Sequence, residues 1–373
     1  MAGNKNLNSA ARAKKDEFYT QMDDITAELR YYMNFFKGKV VLCNCDDPYE
    51  SEFFKYFAIF FNTLGLKKLI ATCYAGSPIV QTELDFWGTA NENPTFDKRK
   101  TAIKLEVNEV KDFNGDGRTD LADVKWLLEN NSNVVTYLDG NGDFRSPECV
   151  EALREADVVV TNPPFSLFRE YVKQLIDNDK KFLIIGNQNA ITYKEIFKLF
   201  MDNKIWLGAS IHSGDRKFWV PDDYPLNAAT CGVDESGRKF INVKGVRWFT
   251  NIDYIQRHED IILTRRYYKD PSLYPHYDNY DAIEVSKTAE IPVDYFGVMG
   301  VPITFLDKYN PEQFEIIGMA KRGAGDPALR SKVYTANDSP NYSDLNAGPV
   351  LLRDGKLKNT YPRILIRRRQ HEN

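Results

Sequence analysis

The sequence predicts an α/β protein built on a doubly wound, largely parallel sheet with flanking helices, followed by a C-terminal region of different character. Three observations carry this. Apolar, β-branched runs alternate with helical stretches through the first two thirds of the 373 residues. The strand signals end in acidic, amide, glycine or proline residues, as strand ends facing a ligand crevice do. Beyond about residue 260 the periodicity weakens, and tyrosine, proline and asparagine dominate 267–280 and 334–349.

Phe18, Met22, Ile25, Leu29, Tyr32 and Phe36 recur at helical spacing and predict a helix after a polar tail. Lys39–Cys45 reads as the first strand, followed by Asp46-Asp47-Pro48 and a helix containing Phe53, Phe54, Phe57, Phe60 and Phe61. Leu69–Tyr74 is a second strand. Val134–Leu138 is the third, ending in Asp139-Gly140-Asn141-Gly142-Asp143. Val158–Thr161 is the fourth, and Phe182–Gly186 the fifth, after a helix around 168–176. Ile205–Ala209 and Lys239–Phe249 predict further strands that close the sheet.

With 49 Lys+Arg against 53 Asp+Glu the net charge is −4, which does not mark a nucleic-acid binder by itself. Basic clusters occur late, at Arg265-Arg266-Tyr267 and at Arg367-Arg368-Arg369; each suits phosphates or a plain solvated surface. Five cysteines at 43, 45, 73, 149 and 231 show no metal-type spacing, which favours reduced thiols in a cytoplasmic protein. The apolar runs are too short for a membrane span, and the N-terminus lacks the apolar centre of a signal peptide.

The most informative segment is Asp157-Val158-Val159-Val160-Thr161-Asn162-Pro163-Pro164-Phe165. Two prolines cannot donate to a ladder, so the strand must stop and leave Asn162 at its carboxyl end. An amide, a fixed carbonyl and a ring then lie within a few ångströms, which suits a flat, amino-bearing ring. This turn resembles motif IV of the amino-group methyltransferases. Related turns also act on RNA bases and on protein amides, so the substrate stays open on this motif alone. A glycine-rich cofactor loop after the first strand is absent. Asp16-Glu17-Phe18-Tyr19-Thr20 looks like the aromatic-Thr segment, motif X, that contacts the methionine end of the cofactor. Gly142-Asp143-Phe144-Arg145 places a carboxylate and a ring where the cofactor's adenine would sit.

Val40-Val41-Leu42-Cys43-Asn44-Cys45-Asp46-Asp47-Pro48-Tyr49-Glu50-Ser51 with its Phe-rich helix resembles the EcoRI-type adenine-specific DNA methyltransferase family, which also departs from the glycine-rich loop. The resemblance implies a Rossmann-like methyltransferase sheet, S-adenosylmethionine as cofactor, double-stranded DNA as substrate and a flipped adenine. It further implies catalysis by Asn162, Pro163, Pro164 and Phe165, and cofactor contacts from Phe18, Tyr19, Thr20, Asp46, Asp47, Asp143, Phe144 and Asn162. The domain expectation is a catalytic domain over 1–260 and a target-recognition region over 261–373. DNA contacts are expected from Arg265, Arg266, Tyr267, Arg367 and Arg368, and a cognate restriction endonuclease is a conceivable partner.

A second motif stands apart. Within an insertion near 106–130, Asp112, Asn114, Asp116, Arg118 (through its carbonyl), Asp120 and Asp123 fall at EF-hand-like ligand positions, with Gly117 at the sixth. Asp123 replaces the usual bidentate Glu. The loop reads either as a calcium site or as an empty Asp/Asn/Gly turn.

Overall fold

The computed structural model describes residues 20–45, 51–73, 102–130, 135–220, 226, 231–321 and 327–370. The chain divides into two compact units, Met1–Gln188 with Ser213–Ile252, and Asn189–His212 with Asp253–Asn373.

The first unit holds the main sheet. Its strands are β1 (Val40–Asn44), β2 (Lys68–Thr72), β3 (Ile103–Val107), β4 (Val135–Tyr137), β5 (Val158–Thr161) and β6 (Lys181–Asn187). Three further strands follow, β7 (Asp215–Trp219), β8 (Cys231–Val233) and β9 (Lys239–Lys244), and then β10 (Val246–Thr250). The seven strands of the eight-stranded main sheet that lie in this unit run β4-β3-β2-β1-β5-β6-β10, and Trp206–Leu207, within the 205–209 stretch expected as a strand, is the eighth. β2, β1, β5 and β6 are mutually parallel, whereas β3, β4 and β10 join antiparallel to their neighbours. The sheet is therefore mixed, with a parallel centre. Val40–Cys43 and Val158–Val160 are buried along their whole length, as central strands covered on both faces must be.

Two of the differences from the sequence reading bear on the main sheet. β3 has no counterpart there; it alternates Ile103, Leu105 and Val107 inward with Lys104 and Glu106 outward, the period-two pattern of a half-buried strand. The single strand expected over 239–249 is two, because Gly245 takes a left-handed φ of +70° and turns β9 into β10. β9 pairs instead with β7 and β8 in a separate three-stranded sheet.

Helices α1 (Met22–Leu29), α2 (Glu52–Ile59), α3 (Phe61–Leu64), α4 (Leu121–Asn130), α5 (Pro147–Glu155) and α6 (Phe168–Asp177) complete this unit. α2 starts where the Ser51 hydroxyl accepts from the Phe54 amide at 3.4 Å, an N-cap. It buries Phe53, Phe54 and Phe57, with Phe53 edge-on to Trp248 of β10 at 5.9 Å. α6 buries Phe168, Tyr171, Val172 and Leu175, the i, i+3, i+4, i+7 stripe of an amphipathic helix.

The second unit carries α7 (Lys194–Met201) and a four-stranded sheet of β11 (Ile283–Glu284), β12 (Met299–Val301), β13 (Phe314–Ala320) and β16 (Arg363–Arg368) in the order β11-β12-β16-β13. The hairpin β14 (Val350–Arg353) and β15 (Lys356–Asn359) turns at Asp354 and Gly355, both left-handed. Within the four-stranded sheet Glu284 of β11, only 2% exposed, receives the Arg363 guanidinium of β16 at 2.7 Å and the Tyr277 hydroxyl.

Candidate active site

The carboxyl edge of the parallel strands is where side chains of different elements converge. β1 and β5 pair Val41 with Val158 and Leu42 with Val159, and the Thr161 hydroxyl donates to the Asn44 carbonyl where the two strands end. Asn162 is 5% exposed and follows directly on the last residue of β5. Pro164 holds φ −54° and ψ 122°, which keeps the backbone extended until Phe165 begins a short 3-10 turn. The Leu167 amide then closes onto the Pro164 carbonyl at 3.0 Å. Pro163 is buried, while Pro164 and Phe165 are half-buried, so the turn presents its ring at the rim.

Sequence reasoning missed the residue that braces this turn. Asn44, at the end of β1 and 3% exposed, accepts a hydrogen bond on its carbonyl from the Thr161 hydroxyl and on its side-chain oxygen from the Tyr171 hydroxyl. Tyr171 is fully buried, and that burial pushes its hydroxyl far above the ordinary range, so it stays a neutral donor. Phe144 meets Tyr171 edge-on at 5.1 Å, and its carbonyl accepts from the Gln174 amide at 3.0 Å. Asn44, Tyr171 and Phe144 thus lock together the end of β1, helix α6 and the loop after β4. The available signal was a polar residue at the end of an apolar run.

That loop reaches the end of β2 through Gly142. Its φ is +73°, and a Cβ there would stand 2.0 Å from the Cys73 carbonyl oxygen, so only glycine fits. Next to it, Asp143 is gripped by Arg145 at 2.7 and 2.8 Å, and this pairing holds its carboxyl below the usual range. Arg145 also reaches Glu170 at 2.9 Å and lies 5.1 Å from the Phe144 ring centroid. An ionised carboxylate beside a fixed ring can accept from an amino group of a planar base.

Of the expected cofactor contacts, Phe18, Tyr19, Asp46 and Asp47 lie outside the described residues. Thr20 sits just before α1; its hydroxyl is buried and makes no hydrogen bond among the described residues. Such an orphaned hydroxyl fits a site completed by a polar ligand. Where a glycine turn is usual, β1 passes instead into Cys45 with φ +74°, a left-handed conformation that a side chain makes costly. The carboxylate, the buried hydroxyl and the strained turn fit a bound nucleoside cofactor.

The acidic loop satisfies itself. Asp112 accepts from the amides of Gly115, Asp116 and Gly117, and Asp116 from that of Arg118. Asn114 accepts from the Asp116 amide and Asp120 from that of Ala122. Asp123, fully buried, accepts from Phe113 at 2.7 Å and Asp120 at 3.0 Å, and these amides hold its carboxyl below the ordinary range. Among the described residues no group of three or more His, Cys, Asp or Glu is arranged to hold a metal ion. The calcium expectation is not supported: the loop's oxygens cap its own backbone.

In the second unit Arg265 and Arg266 are exposed. Tyr267 packs on Tyr295 at 4.6 Å and Tyr274 at 5.8 Å. Arg367 pairs with Glu315 at 3.2 Å, and Arg368 donates to the Val293 carbonyl. Among the described residues no helix is long and apolar enough to cross a membrane.

A family model described as Adenine-specific methyltransferase EcoRI matches residues 6–369. The chain is 49% identical over 320 residues to the Type II methyltransferase M.EcoRI of Escherichia coli, covering 86% of this chain and 90% of that one. It is 37% identical over 368 residues to the Type II methyltransferase M.MpnI of Mycoplasma pneumoniae, covering 98% of each. The Type II methyltransferase M.MgeORF184P of Mycoplasma genitalium is 35% identical over 368 residues, 98% of this chain and 99% of that one. No solved structure matches the chain significantly.

Proposed function

The chain belongs to the EcoRI family of adenine-specific methyltransferases, and from that premise we propose that it moves the methyl of S-adenosylmethionine to N6 of a flipped adenine at a specific site in double-stranded DNA. The observation that carries the chemistry is the Asn162-Pro163-Pro164-Phe165 turn at the carboxyl end of β5, braced by Asn44 and Tyr171.

Adenine N6 is a weak nucleophile because its lone pair is delocalised into the ring. The Asn162 side-chain oxygen and the Pro163 carbonyl accept from its two N–H bonds and draw the nitrogen toward a tetrahedral, reactive geometry. Phe165 stacks on the base and Pro164 stiffens the turn. Bound S-adenosylmethionine supplies a methyl already activated by its sulfonium, so the protein's task is positioning and electrostatics. Thr20, Asp143, Phe144 and Asn162 hold the cofactor on this reading, with Phe18, Tyr19, Asp46 and Asp47 completing its site. Rotating the adenine out of the duplex costs roughly a few kcal/mol.

The catalytic role belongs to the region before about residue 260 and target recognition to the region after it, with Arg265, Arg266, Tyr267, Arg367 and Arg368 as its DNA contacts. A cognate restriction endonuclease is the biological partner this reading expects. The test offers labelled S-adenosylmethionine with duplex DNA, RNA or protein and identifies the product after digestion. N6-methyladenine from DNA is the expected product. Label confined to RNA or to protein amides overturns the assignment, and no transfer to any substrate points to a silent module of the same fold.

A further inference from the structure

The small sheet of β7, β9 and β8 rises from the same edge as Asn162. β9 runs through Gly245 into β10, whose first residue Val246 stands in register with Asn187, the last residue of β6. The Asn187 amide donates to the Lys244 carbonyl at 2.9 Å and the Gln188 amide to the Gly245 carbonyl at 2.6 Å, pinning the sheet to that edge.

Its two faces differ. Phe218, Ile241 and Val243 are buried on the inner face, where Arg216 reaches Asp24 of α1 at 3.3 Å. Strand alternation puts Lys217, Trp219, Arg238 and Phe240 on the other, with Trp219 opposite Phe240. These two rings meet edge to face at 6.3 Å. The Lys217 ammonium lies 4.3 Å and 4.2 Å from their centroids, and the Arg238 guanidinium 4.9 Å from that of Trp219. Among the described residues Lys217 makes no salt bridge. Asp234, whose carboxyl feels the Lys217 charge, is engaged by the Ser236 hydroxyl and the Arg238 amide. Lys244 extends the face and is exposed, with Asp215 opposite it.

Cations held over aromatic planes, at the edge where the base must arrive, match a nucleic-acid strand: phosphates meet the charges while sugar or unstacked base rests on the rings. We propose that this face grips the DNA strand beside the flipped nucleotide, Lys217 and Arg238 taking phosphates and Trp219 and Phe240 a neighbouring base. The inference rests on DNA being the substrate, and it adds a binding surface within the catalytic unit to those expected after residue 260.

The test measures binding of a methylatable duplex by fluorescence anisotropy across a salt series, for the wild type, K217Q/R238Q and K217R/R238K. K217Q/R238Q is expected to lower the slope of log affinity against log salt by about two, roughly one for each phosphate no longer neutralised, and to weaken binding about tenfold or more at moderate salt. K217R/R238K should restore the slope, and W219A should weaken binding about fivefold or more by removing a stacking platform. Cofactor affinity by calorimetry and the Tm should stay near wild type in K217Q/R238Q; a cofactor affinity that falls with DNA affinity contradicts the assignment. An unchanged slope and affinity in K217Q/R238Q, on DNA the wild type methylates, overturns this inference alone. Wild type that methylates no DNA overturns the reading it rests on. Unchanged DNA binding alongside weakened affinity for an acidic peptide would make the face a protein-docking surface and also overturn it.

Discussion

At the scale of single residues, Cys45 and Asn44 do work that no sequence motif announces. Cys45 follows β1 in a left-handed conformation, directly after the Asn44 that braces the Asn162 turn. A β-branched side chain tolerates that conformation least. Cys45→Val should therefore cost about 1–2 kcal/mol, read as a lower Tm, while Cys45→Gly should match or exceed wild type. Equal melting of the Val and Gly variants would show that the turn stores no strain. His258 offers a second check. Its two ring nitrogens lie 2.8 Å from Asp253 and 2.9 Å from Glu312, and the Asp253 hydrogen bond raises its pKa despite partial burial. A raised folded pKa contributes stability that is fully present below about 6.5, the unfolded value, and is lost as pH rises through the folded one. An NMR titration should place His258 above that value; a midpoint at or below it contradicts the double pairing. The Asn-Pro-Pro-Phe turn was legible because prolines end strands by covalent necessity. Asn44 was not, since its role depends on a tyrosine that is 127 positions away in sequence.

At the scale of elements, legibility followed burial. The fully buried parallel strands β1 and β5 show as unbroken apolar runs, and the amide residues Asn44 and Asn162 stand at their carboxyl ends as the sequence implies. β3 is a half-buried strand of five residues, and its short alternation is easily absorbed into the acidic stretch that follows. Likewise one glycine separates β9 from β10, and nothing local distinguishes a strand turn there from a continuous strand. The acidic loop carries a metal motif's spacing and uses its oxygens on its own amides, so the spacing by itself does not choose between a calcium site and a self-capped turn. Asp123→Ala should lower the Tm by releasing the amides of Phe113 and Asp120. Adding calcium to wild type should leave the Tm where it is; a rise that grows with calcium concentration would restore the cation reading.

At the scale of the whole molecule, the C-terminal change in composition appears after residue 260, whereas the second compact unit reaches back to Asn189 because α7 packs against β13. Tertiary packing of that kind leaves no mark in local periodicity. The second unit's interior depends on the buried Glu284–Arg363 pair. Glu284→Ala strands a guanidinium that is only 12% exposed, and should destabilise by about 3–5 kcal/mol. A chemical-denaturation midpoint unchanged in that variant would contradict the dependence. The net charge of −4 agrees with a protein that meets DNA through local cations and not through its overall field. All of this bears on one edge, where the proposed function has Asn162 act on the target amine. Single-turnover methyl transfer by Asn162→Ala, with cofactor affinity and Tm measured on the same preparation, tests that most directly. Transfer slowed on the order of 10²–10³-fold or more, with the fold intact, is the expected result; transfer at the wild-type rate would show that the turn does not carry the chemistry.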